Sequence, residues 1–118
     1  MTFIKINNTL YPATIRGRVS DTEWDNRKSK SITLEMDYAT AMSLFVDEVA
    51  WSIVQKYQAP VYDENGKQTG TETKEDEFDN SEYCLAGDIT DHRDGTVTVK
   101  MGKFTALEEA YEIMLGGV

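Results

Sequence analysis

His92 and Cys84, the only histidine and the only cysteine in the 118-residue chain, are the side chains best suited to proton transfer or nucleophilic attack. Asp91-His92-Arg93-Asp94-Gly95 sets the imidazole among carboxylates, as an acid–base pair requires. Asp94-Gly95 is also a hairpin signal, because both residue types tolerate positive φ. His92 then sits on an exposed turn without a partner nucleophile. Cys84, eight residues earlier, lies on the preceding strand and is poorly placed to meet it across that turn. A solvated turn histidine is the expectation.

Metal chemistry is as poorly served. Asp88, Asp91 and Asp94 precede Gly95 at intervals of three, whereas a calcium loop needs oxygen ligands at alternate positions and a distal bidentate glutamate. Asp63, Asn65 and Gly66 form only a fragment of such a loop, and one Cys with one His cannot complete a structural zinc site. No Gly-rich phosphate loop occurs, and Gly116-Gly117 follows a helix instead of opening one. Glu75-Asp76-Glu77 reads as a solvated run, since a pKa-shifted pair needs apolar cover and only Phe78 and Tyr83 are near. The sequence predicts no enzyme, no metal and no cofactor.

The elements that must position these residues belong to one small domain spanning 1–118. Apolar residues make up 40% and aromatics 10%, enough for one core. Phe3–Ile6 and Leu10–Val19 read as strands joined by Asn7-Asn8, with Pro12 marking an edge or bulge and Ile15, Gly17 and Val19 on one face. Ile32, Leu34 and Met36 alternate as a third strand. Asp37 can cap a short helix whose apolar face is Ala41, Leu44 and Phe45. Extended chain resumes from Ala50 to Tyr57. Asn65-Gly66 predicts an exposed hairpin, followed by a mobile acidic stretch. A second hairpin joins Tyr83–Ile89 to Val97–Met101 through Asp94-Gly95. Thr105-Ala106-Leu107-Glu108 is a capping box that opens a helix carrying Leu107, Ala110, Tyr111, Met114 and Leu115 and ended by Gly116-Gly117. The fold class is α+β: a mostly antiparallel curled sheet or barrel-like roll with two short helices.

Charge narrows the partners. Twelve basic against 21 acidic residues give a net charge of −9, which disfavours direct binding to nucleic acid or to an anionic membrane. The lone cysteine fits a reducing compartment, and the start of the chain has no long apolar run, so synthesis in a cytoplasm is expected. The Asn7-Asn8-Thr9 sequon is without meaning there. Residues 62–82 hold Asp63, Glu64, Glu72, Glu75, Asp76, Glu77, Asp79 and Glu82 against two lysines, and so carry −6 of the total. Arg16, Arg18, Arg27, Lys28 and Lys30 form a basic cluster around Trp24, interleaved with Asp21, Glu23 and Asp25. Trp24 is either an interface anchor or a ring tucked over the core edge. Either way the charges polarise towards two ends, which suits head-to-tail contacts between copies or with other proteins.

Three stretches carry a resemblance: Arg18–Leu34 around Trp24; Leu44-Phe45-Val46-Asp47 followed by Trp51-Ser52-Ile53; and Gly87–Thr96 with Val99-Lys100-Met101-Gly102-Lys103. Together they resemble small uncharacterised proteins from the tail modules of prophages in Gram-positive bacteria, over nearly the whole chain except the acidic hairpin. The resemblance implies a structural or assembly component of a phage tail. Such a component would be made in the bacterial cytoplasm and carried in the virion, would associate with itself or other tail proteins, and would need no cofactor. It assigns no individual residue a role. A phage-encoded acidic inhibitor of a bacterial defence nuclease, with the carboxylates of 62–82 occupying a basic nucleic-acid channel, is the alternative.

Overall fold

The computed structural model describes the backbone of residues 1–116 and the side chains of residues 1–111. Seven strands and two helices follow in the order β1 (Thr2–Ile6), β2 (Thr9–Asp21), β3 (Arg27–Glu35), α1 (Tyr38–Leu44), β4 (Ser52–Tyr62), β5 (Gln68–Asp79), β6 (Leu85–Asp91), β7 (Thr96–Gly102) and α2 (Ala106–Gly116). Every pairing is antiparallel, in the order β5-β4-β1-β2-β3-β7-β6. The expected mostly antiparallel sheet with two short helices is present, but it does not close into a barrel. β5 and β6 remain its two edges, and closure between them would set the acids of β5 against Asp88 and Asp91 of β6.

β2 is the strand on which the sheet turns. Asn7 and Asn8, at φ 53° and 63°, make the tight turn that returns β1 onto it. Residues Thr9 to Pro12 then pair with β1, and from Ala13 onwards β2 pairs with β3 instead. Pro12, which lacks an amide donor, stands at the change of partner.

The alternation read from sequence delivers the core. Ile4 and Ile6 of β1, Ile32 and Leu34 of β3, and Val97, Val99 and Met101 of β7 cluster beneath Ala41 and Phe45 of the α1 turn. Helix α1 forms where Asp37 accepts from the Thr40 amide at 2.7 Å, and its buried side turns Ala41 and Phe45 inward. Trp51 completes the cluster. Its ring is 1% exposed and its Nε1 donates to the Tyr83 carbonyl at 3.0 Å, while its own carbonyl accepts from the Asn80 amide at 2.9 Å. Trp51 therefore holds the 80–84 turn, which leads into β6, against the core, and Tyr83 lies in that turn instead of a strand.

Two further expectations need correction. The stretch after the Asn65-Gly66 hairpin is not a mobile run: it is strand β5, paired with β4 from Gln68 opposite Tyr62 to Asp79 opposite Ser52. Alternating Thr and charged residues, with Thr69, Thr71 and Thr73 among them, satisfy a two-stranded ladder without needing a core. At the other end α2 is still helical at Gly116, while Gly117 and the side chains of Met114 and Leu115 lie outside the described residues.

Because Trp51 joins the core to the 80–84 turn, Trp51→Ala should cost about 3–5 kcal/mol of folding stability, the usual range for emptying a buried aromatic site. Urea unfolding followed by circular dichroism checks this. A loss under about 1 kcal/mol would mean that the turn is held by something else.

Candidate protein-interaction surfaces

The loop between β2 and β3 is organised by a buried carboxylate. Asp21 is fully buried; its backbone oxygen accepts from the Trp24 and Asn26 amides at 3.0 and 2.8 Å. Its side chain meets Lys100 Nζ at 2.9 Å and accepts from Ser29 Oγ at 2.9 Å and from the Glu23 amide at 3.1 Å. The Lys100 ammonium, helped by the Ser29 hydroxyl and the Glu23 amide, holds the Asp21 carboxyl below the ordinary carboxylate range despite its burial. Asp25 and Asn26 take positive φ to finish the turn.

This loop divides the basic cluster. The Trp24 ring lies over Gly102 and Gly87, where an added Cβ would come within 2.6 and 2.9 Å of it, so both positions require glycine for the ring's close approach. Arg27 stacks on that ring at 4.9 Å and is itself buried. Its guanidinium reaches both Glu108 oxygens, at 2.6 and 3.1 Å, and donates to the Lys103 carbonyl at 3.1 Å. Lys30 is half-buried, donates to Asn80 Oδ1 and lies 4.5 Å from the centre of the Tyr83 ring, and desolvation pushes its ammonium down. Trp24, Arg27 and Lys30 are thus committed within the molecule, and Trp24 takes the tucked position. Arg16, Arg18 and Lys28 remain exposed. Arg16 and Arg18 share one face of β2, with Arg18 also 3.6 Å from Asp21, and Lys28 lies on the other face.

The acidic residues occupy a projecting arm. β1 covers β4 only as far as Gln55, and Lys56 exchanges backbone hydrogen bonds with Met1. Residues 57–74 continue as an isolated two-stranded ribbon about 20 Å long at the usual strand rise, in a molecule 62 Å along its longest axis. Asp63 closes its tip, accepting from the Asn65 and Lys67 amides at 2.9 and 3.0 Å, while Gly66 takes φ 78°. Glu64 is exposed at the same tip. Every residue of β5 is exposed. By strand alternation Glu75, Glu77 and Asp79 line one face, and Glu72, Lys74 and Asp76 the other. The chain's own lysines offset part of this charge: Lys5 meets Glu77 at 3.0 Å, Lys74 meets Glu72 at 3.6 Å, and Lys56 stands opposite Glu75. Glu82, beyond the arm, pairs with Lys103 at 3.2 Å.

One feature of this surface is absent from the sequence pattern. From Ala13 to Arg18, β2 is paired with β3 along one edge, with a bulge at Val19 and Ser20, and among the described residues no strand pairs with its other edge from Ala13 to Ser20. Arg16 to Ser20 are exposed along it, and Val19 is 82% exposed. The length of β2 relative to the four-residue ladder it shares with β1 is the signal that could have revealed this edge.

The chemically suggestive residues lie apart. His92 is exposed beside the Asp94-Gly95 turn, with Nε2 2.7 Å from Thr98 Oγ1. Cys84 precedes the opposite end of β6 and is half-buried, with its thiol pushed up by desolvation. No group of three or more His, Cys, Asp or Glu residues is disposed to hold a metal among the described residues. Nor is any helix there long and apolar enough to cross a membrane. No family model matches the chain, and no curated protein or solved structure matches it either.

The Arg27–Glu108 pair is the tie between this surface and α2. Thr105 and Glu108 form the expected capping box, with Glu108 N donating to Thr105 Oγ1 at 3.2 Å and Thr105 N to Glu108 Oε1 at 2.9 Å. Arg27 first, then the Thr105 amide, lowers the Glu108 carboxyl to about 2. A depressed acid stabilises the native state above its unfolded pKa, ordinarily 4.5, and that contribution is lost as pH falls towards 2. Acid titration in a Trp51→Phe background should therefore change Trp24 emission across that window, with a smaller change when Glu108→Gln is added. Identical titrations with and without Glu108→Gln would rule out the tie.

Proposed function

We propose that the protein is a non-enzymatic structural or assembly component of a phage tail, working through protein–protein contacts with copies of itself or with other tail proteins. The observation that supports this most directly is the ordered ribbon of residues 57–74. A two-stranded hairpin outside a sheet is marginal by itself, so one held extended from the body is best explained by a surface that receives it. The exposed Arg16, Arg18 and Lys28, together with the acidic arm, give the molecule surfaces of opposite charge, which head-to-tail assembly can use.

Inhibition of a basic nuclease by nucleic-acid mimicry is the second reading, favoured by the ordered row Glu75, Glu77 and Asp79. It is weakened by Lys5, Lys56 and Lys74, which neutralise part of that row and its neighbours, because a mimic gains from leaving its charges free.

Sedimentation velocity over a range of concentrations, with the chain alone and mixed with the products of the genes flanking its own, separates the two. Self-association or co-assembly, with tape-measure or baseplate proteins among those products, is the expected result. A chain that stays monomeric in every mixture and binds a Lys/Arg-rich nuclease with steep salt dependence would replace the tail reading with the inhibitor.

A further inference from the structure

Two unpaired strand edges of opposite charge lie on this chain. The first is the outer edge of β5, which carries Glu72, Glu75, Asp76, Glu77 and Asp79 and is exposed throughout. The second is the free edge of β2, which begins at Ala13, where the β1 ladder has ended, and reaches the buried Asp21. It carries Arg16 and Arg18, both exposed, and has no acid of its own before Asp21. Free main-chain donors and acceptors on an edge are a template for another strand.

Resting on the assembly reading above, we propose that β5 of one copy adds antiparallel to the free edge of β2 in the next, continuing the sheet from molecule to molecule. The side chains select one register. With Ile15 opposite Phe78, Arg16 falls opposite Glu77 and Arg18 opposite Glu75, all four charges on one face, since residues directly opposite each other point the same way. Phe78, 55% exposed in the isolated chain, then covers the half-buried Ile15. In the same register β5 ends at Asp79 and the chain turns away at Asn80. Continuing the β1 register past Phe3 opposite Pro12 brings Met1 beside Thr14, so the added ladder runs from Ile15 onwards. Glu77 already meets Lys5 at 3.0 Å, so Arg16 of the neighbour would add a second cation to one carboxylate. The other free edge, β6, is excluded as the recipient by Asp88 and Asp91, which would face further acids.

This contact is head-to-tail: each copy donates one edge and receives on another, so it closes into a ring or continues as a stack. The test reverses charges on one side, then on both. Arg16→Glu with Arg18→Glu, and separately Glu75→Arg with Glu77→Arg, should each weaken self-association by roughly tenfold or more, measured by sedimentation velocity at low salt. Each altered protein should also associate with the other, and the quadruple variant should regain self-association. All four positions are exposed or at an edge, and far-ultraviolet circular dichroism confirms that each variant is folded. Self-association that neither reversal changes would overturn the edge pairing and leave the assembly reading standing. A wild-type chain that is monomeric at all concentrations, even beside the flanking gene products, would remove both. Weakening by single-sided reversal without rescue in the quadruple variant would also overturn this register.

Discussion

The arrangement depends on β2 serving two neighbours along successive parts of its length. Four residues satisfy β1 and the remainder satisfy β3, with Pro12 at the handover. A strand has two edges, and one that changes partners leaves each edge half used. Everything on the β1 side of the handover, including β4 and the arm, hangs from a short ladder. The β3 side contributes Ile32, Leu34, Val97, Val99 and Met101 to the core, where they meet Ile4 and Ile6 from the β1 side. The open sheet, the free edge from Ala13 onwards and the projecting ribbon are consequences of this one division.

The far end of β2 is finished by charge instead of by apolar packing. Asp21 is buried without apolar cover of its own kind, and it is tolerated because Lys100, Ser29 and the Glu23 amide satisfy its oxygens. Those partners fix the loop that lays Trp24 over Gly87 and Gly102, and Trp24 in turn flanks Arg27. Arg27 then holds Glu108 and with it the start of α2. A chain of pairings therefore runs from a buried acid to the C-terminal helix, and it consumes the basic residues that would otherwise enlarge the outer positive surface.

Much of the local structure was legible because each element carries its own signal. Asn7-Asn8, Asn65-Gly66 and Asp94-Gly95 mark turns by their φ preferences, Asp37 and Thr105 mark helix starts, and period-two alternation marks Ile32, Leu34, Val97 and Val99 as core. The destinations of Trp24, Arg27 and Lys30 were not legible, because they depend on contacts with residues 50 or more positions away, such as Asn80, Gly102 and Glu108. The acidic segment looked mobile for a related reason. Its strand character comes from the partner β4 and not from apolar alternation of its own, so like charge dominated the pattern while the ladder to residues 52–62 stayed invisible.

Charge on β5 does more than keep an exposed strand soluble. A long bare edge invites indiscriminate pairing, and acids along it set β5 against another β5 and against β6, both of which would bring like charges face to face. The same acids leave one edge of the molecule open to it: the stretch of β2 that bears Arg16 and Arg18. Repulsion from the wrong edges and attraction to the right one arise from a single set of carboxylates, which is how specificity is obtained when the main-chain hydrogen bonds themselves do not discriminate. Turning Arg27 and Lys30 of β3 inward leaves Arg16 and Arg18 of β2, whose spacing matches Glu75 and Glu77, with Lys28 as the exposed members of the basic cluster.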